Sequence, residues 1–507
     1  MKKKAFLLAA IFSLTALCAC NGGKGENTGS KGTKSAVVGI TQDLDSLDPH
    51  KAVAAGTNEV LFNVFEGLVK PSKDGTMVPA VASEYQMDAE GKVYTFTLRD
   101  HVVFHNNKEV TAEDVIYSIK RCAGLLPDQD PEVKVESALS VIQTVEKKDD
   151  RTVVITLKEP NTEILGFLTC AIIPKDYKEQ AKKPVGTGPY CFVSYEPLSE
   201  FVVERFENYY GEKPYLDKAV FKICASNDAA FMELLSGSID IFPYLTDEQA
   251  SQLTQDYKLE IGASNLVQAM FLNNDFEPFQ NVTVRQALCN AIDRYELLDI
   301  VAGGKGNIIG SNMIPNFGVY YEKSLEGVYP YQPEAAKALL KEAGYDETHP
   351  LSFTITVPSN YDFHVATAQV LVEQLRRIGV KAEIKLVEWS AWLTDVYRGR
   401  NYEATVVGLD GALAPSDFLK RYRSTASNNF INYKSDAFDV LFDETLASVD
   451  EQKKIEGYKN LQKILTQDAA SVYLQDPAKL VAVKKKFTGF TFYPVYVIDL
   501  STIRSAD

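Results

Sequence analysis

The sequence predicts an α/β protein with a crossover-connected, mostly parallel sheet, and three observations predict it. Strand-period and helix-period segments alternate from about residue 36 to the C-terminus, the order that lays helices over a parallel sheet. Hydrophobic residues make up 45% of the chain and charged residues 24%, ordinary globular proportions that exclude disordered, collagen-like and polytopic membrane chains. With 507 residues, the chain should form two or three domains or one multi-lobed body.

The first element is a secretory signal. Lys2, Lys3 and Lys4 precede an apolar run, residues 5–17, that is short for a bilayer span. Leu17-Cys18-Ala19-Cys20 follows, and it resembles a bacterial lipobox with Cys20 as the lipidated first residue of the mature chain. Bulky Leu17 makes Cys18 the weaker candidate, and a short uncleaved anchor is the alternative reading. Cleavage removes three lysines and takes the formal charge from −15 to −18. Residues 21–35 hold five glycines and no large apolar residue, so residues 20–35 read as a flexible lipidated tether, its last fifteen residues spanning roughly 20 Å.

In residues 92–104, Tyr94, Phe96 and Leu98 alternate with Thr95, Thr97 and Arg99, which is strand periodicity. Thr111 and Asp114 have the spacing of a capping box, opening a helix that runs through Val115 and Ile119 toward Arg121. Gln332-Pro333-Glu334 opens a second helix with Ala335, Leu339 and Ala343 on one face and Gly344 at its end. Phe353, Ile355 and Val357 alternate as a strand, residues 365–378 are helical to Gly379, and residues 381–385 alternate again.

An acidic surface repels phosphate backbones, which excludes nucleic acid as a partner. The cysteines beyond the lipobox are Cys122, Cys170, Cys191, Cys224 and Cys289, with no C-x-x-C pair; they read as small buried hydrophobes, with two disulfides as the ceiling. No H-E-x-x-H, no G-x-S-x-G and no complete phosphate loop occurs, so no catalytic residue and no cofactor are expected. His101 and His105 form the one close histidine pair and read as solvated or packed rather than metal-binding.

Several blocks, taken in order, resemble the extracytoplasmic solute-binding proteins of ABC importers, in the peptide, oligopeptide and nickel branch called family 5. They are Leu47-Asp48-Pro49-His50; Asn63-Val64-Phe65-Glu66-Gly67-Leu68; Tyr94 through Arg99, Phe104-His105 and Thr111 through Asp114 to Ser118 and Arg121; Val185 through Tyr190; Asn208-Tyr209-Tyr210; and Val284-Arg285-Gln286-Ala287-Leu288. Each block alone has a local structural reading, such as a turn at Gly186 and Gly188 or a cap at Arg285.

The resemblance implies a two-lobed periplasmic-binding-protein fold with an extra inserted subdomain, three domains in all, and a hinge between the lobes. Lobe I would comprise residues 36–60, 186–268 and 481–507, the inserted domain II residues 61–185, and lobe III residues 269–480. Binding with hinge closure would replace catalysis. The implied partners are a peptide or small-solute ligand, importer permease subunits, and the membrane through the lipid anchor only, with the protein exported as a monomer to the cell envelope, periplasm or outer surface.

The family's first ligand-contacting segment falls on Val53, Ala54, Ala55 and Gly56. Its second, a G-W-x-x-D-x-x-x-P pattern whose aspartate takes a peptide amine, falls on Gly408, Leu409, Asp410, Gly411 and onward to Pro415. Counting back from Pro415 puts Gly411 at the aspartate position and counting from Gly408 puts Ala412 there, so Asp410 serves only if a bulge or deletion restores its direction. Trp389 falls on a pocket-lining Trp, and Arg398 and His364 are candidates for a ligand carboxylate. Peptide capture is the leading expectation. A non-peptide solute or metal chelate is the second, and a secreted hydrolase or adhesin the third.

Overall fold

The computed structural model describes residues 34–409 and 414–506. The lipobox, including Cys20, and the tether up to residue 33 lie outside the described residues, and so do Asp410, Gly411 and Ala412. Among the described residues no helix is long and apolar enough to cross a membrane.

The strand Ser35–Ile40 buries Ala36, Val38 and Ile40 on one face and pairs in parallel with Lys218–Ile223 and Ile241–Phe242. The hairpin Tyr190–Glu196 and Glu200–Arg205 extends that edge antiparallel. In the other half of the sheet, Ser352–Pro358 pairs in parallel with Lys381–Val387 across the helix Asp362–Arg377, the expected strand–helix–strand unit. It also pairs in parallel with Ala404–Leu409.

One strand joins the halves. Ser471–Lys484 pairs through its first part with Val267–Leu272 and Gly306–Ile308, and through its second with Tyr257–Ala263 and Ile241–Phe242. Val267–Leu272 is buried throughout: Met270 and Leu272 enter one core while Val267, Ala269 and Phe271 enter another on the opposite face. Helices covering both faces of a central strand explain its continuous apolar run.

The result is a two-lobed mixed α/β fold on a twelve-stranded sheet. The expectation of a mostly parallel sheet is corrected: among the described residues, parallel pairing in this sheet is confined to the partners of Ser35–Ile40 and Ser352–Pro358, and every other pair is antiparallel. The reason is connectivity, since hairpins and the long returning strand reverse the chain direction where helical crossovers would have kept it.

A separate four-stranded antiparallel sheet, in the order Ala82–Met87, Val93–Leu98, Thr152–Leu157, Ile142–Asp149, has its own core. Tyr94, Phe96 and Leu98 point into it, as their alternation predicts. The helix Ala112–Cys122 packs on this core behind the expected capping box, with Asp114 N–H donating to Thr111 Oγ1 at 3.3 Å and Thr111 N–H to Asp114 Oδ2 at 3.0 Å.

The sequence blocks now have physical meanings. Asp114, Ser118 and Arg121 share one helix face. Asp114 accepts from Lys175 N–H at 2.9 Å, Ser118 Oγ from Ile173 N–H at 2.9 Å, and Arg121 grips Asp48 bidentately at 2.9 and 2.7 Å. His50 Nε2–H reaches Ala171 O at 2.8 Å. Glu66 accepts from the hydroxyls of Tyr209 at 2.8 Å and Tyr210 at 2.5 Å, which joins two distant blocks. A Cβ on Gly186 would lie 2.1 Å from Val64 O, so the turn at Asn63-Val64 that follows the helix Ala55–Leu61 can pass only over a glycine. Arg285 caps carbonyls at the end of the helix Glu451–Gln467, donating to Asp468 O at 2.7 Å. His105 is packed rather than metal-binding, its Nε2–H on Gly188 O at 3.0 Å and its ring 4.9 Å from Phe206. On the helix Pro333–Glu342 the buried column is Ala336 and Leu340, with Leu339 and Ala343 half-buried beside it and Ala335 exposed. The apolar stripe is two columns wide, and the helix seats the column that carries Leu340.

Candidate functional site

The lobes are joined at the long strand Ser471–Lys484 and at residues 264–266, which connect Tyr257–Ala263 to Val267–Leu272. Asp476, on the long strand, stitches the two together: its Oδ1 accepts from Ser264 Oγ at 3.1 Å and from Leu266 N–H at 3.0 Å. Its Oδ2 is buried without a partner, and burial pushes this carboxyl up to about 6. Asn265, between those donors, takes a left-handed backbone with φ 62°.

A cavity of about 420 Å³ opens beside this joint, within the usual range for small-ligand pockets. Its walls come from the end of Ser35–Ile40, the start of the helix Ala55–Leu61, Tyr244, and Ser264, Ala478 and Lys479 at the joint. The polar group inside is built around Glu59, which is buried. Tyr244 donates its hydroxyl to Glu59 Oε2, and Lys479 Nζ lies 3.2 Å from Glu59 Oε1. Burial and the Glu59 charge push the Tyr244 hydroxyl far up, so it stays a donor. The Lys479 ammonium also stands 5.4 Å from the Tyr244 ring centre and 5.6 Å from that of Tyr496. The set is a compensated ion pair in an aromatic frame, and the ammonium has N–H groups beyond the one on Glu59.

Of the expected ligand segment, Ala55 and Gly56 line this cavity, Ala54 caps the helix, and Val53 is 63% exposed. Asp45 holds the segment from behind, accepting from Val53 N–H at 2.8 Å and Ala54 N–H at 3.0 Å. Burial works to raise the Asp45 carboxyl, and hydrogen bonds from Thr57 and these amides outweigh it and hold the group below the usual range. Gly56 N–H goes to Gln42 Oε1 at 3.3 Å, and a Cβ there would meet that oxygen at 2.6 Å.

In the other half of the sheet, Gly408 and Leu409 end the strand Ala404–Leu409. Leu409 is buried, and Gly408 leaves room for the Leu266 side chain, which a Cβ would approach to 2.5 Å. His364 lies behind this strand. It is buried, and Gly408 N–H donates to its Nε2 at 3.1 Å. Burial lowers the imidazole to about 4, so the ring is neutral with one N–H. Its Nδ1 lies 2.8 Å from Gln268 Nε2, while Gln268 Oε1 accepts from Thr367 Oγ1 at 3.2 Å and from Gln475 Nε2 at 2.7 Å. Gln268, Thr367 and Gln475 complete a fully buried polar network. Trp389 is half-buried, stacked on Trp392 at 5.0 Å and edge-on to Tyr361 at 5.4 Å. Arg398 is exposed at the end of a π-helical turn.

The structure thus brings Ala55 and Gly56 to the cavity and sets His364 behind Gly408. It adds Glu59, Tyr244 and Lys479, which the sequence reading did not single out. Glu59 follows Ala55 by four residues on one helix and could have been found by helical spacing. Lys479 pairs with it across 420 positions, a relation with no local signal. Among the described residues no group of His, Cys, Asp and Glu is arranged to hold a metal ion.

Comparison with known proteins agrees with this architecture. The family model for bacterial extracellular solute-binding proteins, family 5, middle region, matches residues 76–430. A dipeptide-binding protein of Escherichia coli is 26% identical over 457 residues, covering 83% of this chain and 84% of that protein. A glutathione-binding protein of Pectobacterium atrosepticum is 28% identical over 489 residues, covering 91% and 92%. The solved structure of an ABC transporter-associated periplasmic binding protein from Helicobacter pylori in complex with the peptide STSA superposes with a TM-score of 0.77 at 26% identity, covering 93% of this chain and 98% of that one. These relatives are named for what they bind, and this chain is a binding protein and not an enzyme. With two lobes hinged beside a ligand-sized cavity and a family match spanning most of its length, the chain belongs to the bacterial extracellular solute-binding proteins, family 5.

Proposed function

We propose that the protein captures short peptides in the cleft beside Glu59 and Lys479 and hands them to an ABC importer, held at the membrane by a lipid on Cys20. The observation that carries this reading is the cavity itself, which is lined by Ala55 and Gly56 of the expected contact segment and backed by both crossings between the lobes. The names of the dipeptide-binding and STSA-bound relatives support peptide as the ligand class. The amides of Val53, Ala54 and Gly56 are spent on Asp45 and Gln42, so an added peptide strand would bond this segment through its carbonyls. Lys479 would take the peptide carboxylate and Asp410 the free amine, with His364 acting only through Gly408. The proposed division is lobe I at 36–60, 186–268 and 481–507, domain II at 61–185 and lobe III at 269–480. The separate core running from Leu68 to Val185 supports the insert.

The missing aspartate register at Gly411 and Ala412 favours a second reading, a non-peptide solute or chelate. Calorimetry with two-to-six-residue peptides, free and N-acetylated, on wild type and Asp410→Asn separates the two. Peptide capture through the amine predicts that the variant loses on the order of 2–5 kcal/mol for free peptides, typical of a broken desolvated charge pair, and that acetylated peptides bind poorly to both. Equal binding of both sets by wild type removes the amine role, and binding of neither removes the peptide reading. For the anchor, Cys20→Ala should abolish lipid labelling; unchanged labelling would exclude that site.

A further inference from the structure

Two cysteines of the four-stranded unit meet at its joint with lobe I. Cys122 ends the helix Ala112–Cys122 and is buried, while Cys170 follows the turn Ile164–Phe167 and is half-buried. Both are free thiols, the Cys122 thiol has the Cys170 side chain as a neighbour, and both line one cavity of about 270 Å³, with Cys170 also lining an adjoining cavity of about 280 Å³. On either side of the pair are the ties already described: Arg121 on Asp48 next to Cys122, and His50 on Ala171 O next to Cys170. Cys191, Cys224 and Cys289 sit elsewhere. Cys191 is on an edge-side strand, Cys224 bonds Lys222 O at 3.7 Å, and Cys289 bonds Ser471 O at 3.8 Å.

We propose that Cys122 and Cys170 are a reversible disulfide site. Members of this family work outside the cytoplasm, where thiols meet disulfide oxidants. The two cysteines have different roles. The adjacent Cys170 thiol and burial hold the Cys122 thiol well above its ordinary range, which makes it a poor first nucleophile. Cys170 faces two cavities and attacks first. Its thiolate, having given its proton to water, displaces one thiolate from a disulfide RSSR, leaving a mixed disulfide on Cys170. Cys122 then loses its proton and displaces the second thiolate. Two cysteine thiols have lost two electrons and two protons, and RSSR has become two RSH. The new bond staples segments already held in place by Ser118 on Ile173 and Asp114 on Lys175, so it stabilises the joint without moving it.

The test uses the full exported chain exposed to glutathione disulfide, quenched, denatured, alkylated and mapped by mass spectrometry. Cys122 and Cys170 should appear in one cross-linked peptide, with Cys191, Cys224 and Cys289 alkylated, and dithiothreitol should reverse the link. Oxidation should raise the melting temperature by about 5 °C and leave Cys170→Ser unaffected. In Cys122→Ser a glutathione adduct should accumulate on Cys170, whereas Cys170→Ser should carry none on Cys122. Alkylation of both residues after oxidation, an adduct on wild-type Cys170 that never passes to Cys122, or a link to a third cysteine would each overturn the proposal.

Discussion

Tyr458, on the helix Glu451–Gln467, donates its hydroxyl to the buried carboxyl group of Glu163, 295 residues earlier beside the four-stranded sheet. The contact is reinforced nearby: Lys454 Nζ lies 3.3 Å from Thr162 Oγ1, and the Val449 side chain sits against Gly91. The helix Glu451–Gln467 and the residues before it therefore touch the segments flanking the four-stranded sheet directly.

Tyr458→Phe should destabilise the protein by about 1–3 kcal/mol, the range for stranding a buried acceptor. Burial raises the Glu163 carboxyl, against hydrogen bonds from Ser416 and Tyr458 and the Lys454 charge, with Asp417 adding to the rise. A raised carboxyl is most favourable when protonated, so its contribution is lost as pH rises through the folded value. Denaturant titrations should therefore show a larger penalty for Tyr458→Phe at pH 8 than at pH 5, and an equal penalty would mean that the hydroxyl does not serve the charged form.

Arg121 and Asp48 are 6% and 5% exposed, so solvent screens the pair little. Arg121→Met should cost about 3–5 kcal/mol by leaving a buried charge alone, and Asp48→Leu with Arg121→Met should recover most of it. Burial opposes the Asp48 charge, but the Arg121 hydrogen bonds and charge outweigh it and hold the carboxyl below its usual value. This contribution is present above pH 4 and fades as pH falls. A double variant no more stable than the single one would contradict the assignment.

Asp476 has the opposite sign. With its carboxyl raised to about 6 from 3.8, its contribution is complete below pH 4 and lost as pH rises past 6. Asp476→Asn relative to wild type should improve by about 3 kcal/mol between pH 4 and pH 8. Parallel pH–stability curves for the two proteins would show that the group does not titrate in this range.

His364, lowered to about 4 from 6.5 by burial, is favourable as the neutral ring. Its contribution is complete above pH 6.5 and falls by about 3 kcal/mol as pH drops toward 4. His50 and His105 are also lowered to about 4, so the readout is wild type minus His364→Gln. Ligand affinity in wild type should fall only as pH passes below about 4, where the folded ring itself takes a proton and Nε2 can no longer accept Gly408 N–H. Pure destabilisation with unchanged affinity would remove the link to the strand.

Lys479→Met should weaken binding of free peptides on the order of a hundredfold, as expected for losing a desolvated charge partner. Peptides amidated at the C-terminus should bind wild type weakly and be indifferent to the variant. The variant also leaves Glu59 without its cation, so a melting curve must accompany the calorimetry. A folded variant that loses free and amidated peptides equally would mean that Lys479 does not read the carboxylate.

The sequence by itself determined the local structure: the Tyr94, Phe96 and Leu98 face, the Thr111 and Asp114 box, and the glycine ends at Gly344 and Gly379, where φ is 94° and 85°. These follow from periodicity and backbone sterics within a few residues. It also carried the family, because blocks such as Asp114, Ser118 and Arg121 repeat along one helix face. Only the tertiary structure decided what those blocks do. Asp48 meets Arg121, Glu66 meets Tyr209 and Tyr210, and Asn63 holds the C-terminal segment through Leu500 N–H at 2.9 Å, so they brace the scaffold. The strand directions and the pairing of Glu59 with Lys479 were likewise set by the fold. A charge pair across 420 positions exists only once two lobes and a crossing strand enclose it, because burial and partner geometry, not neighbouring residues, create the need for it.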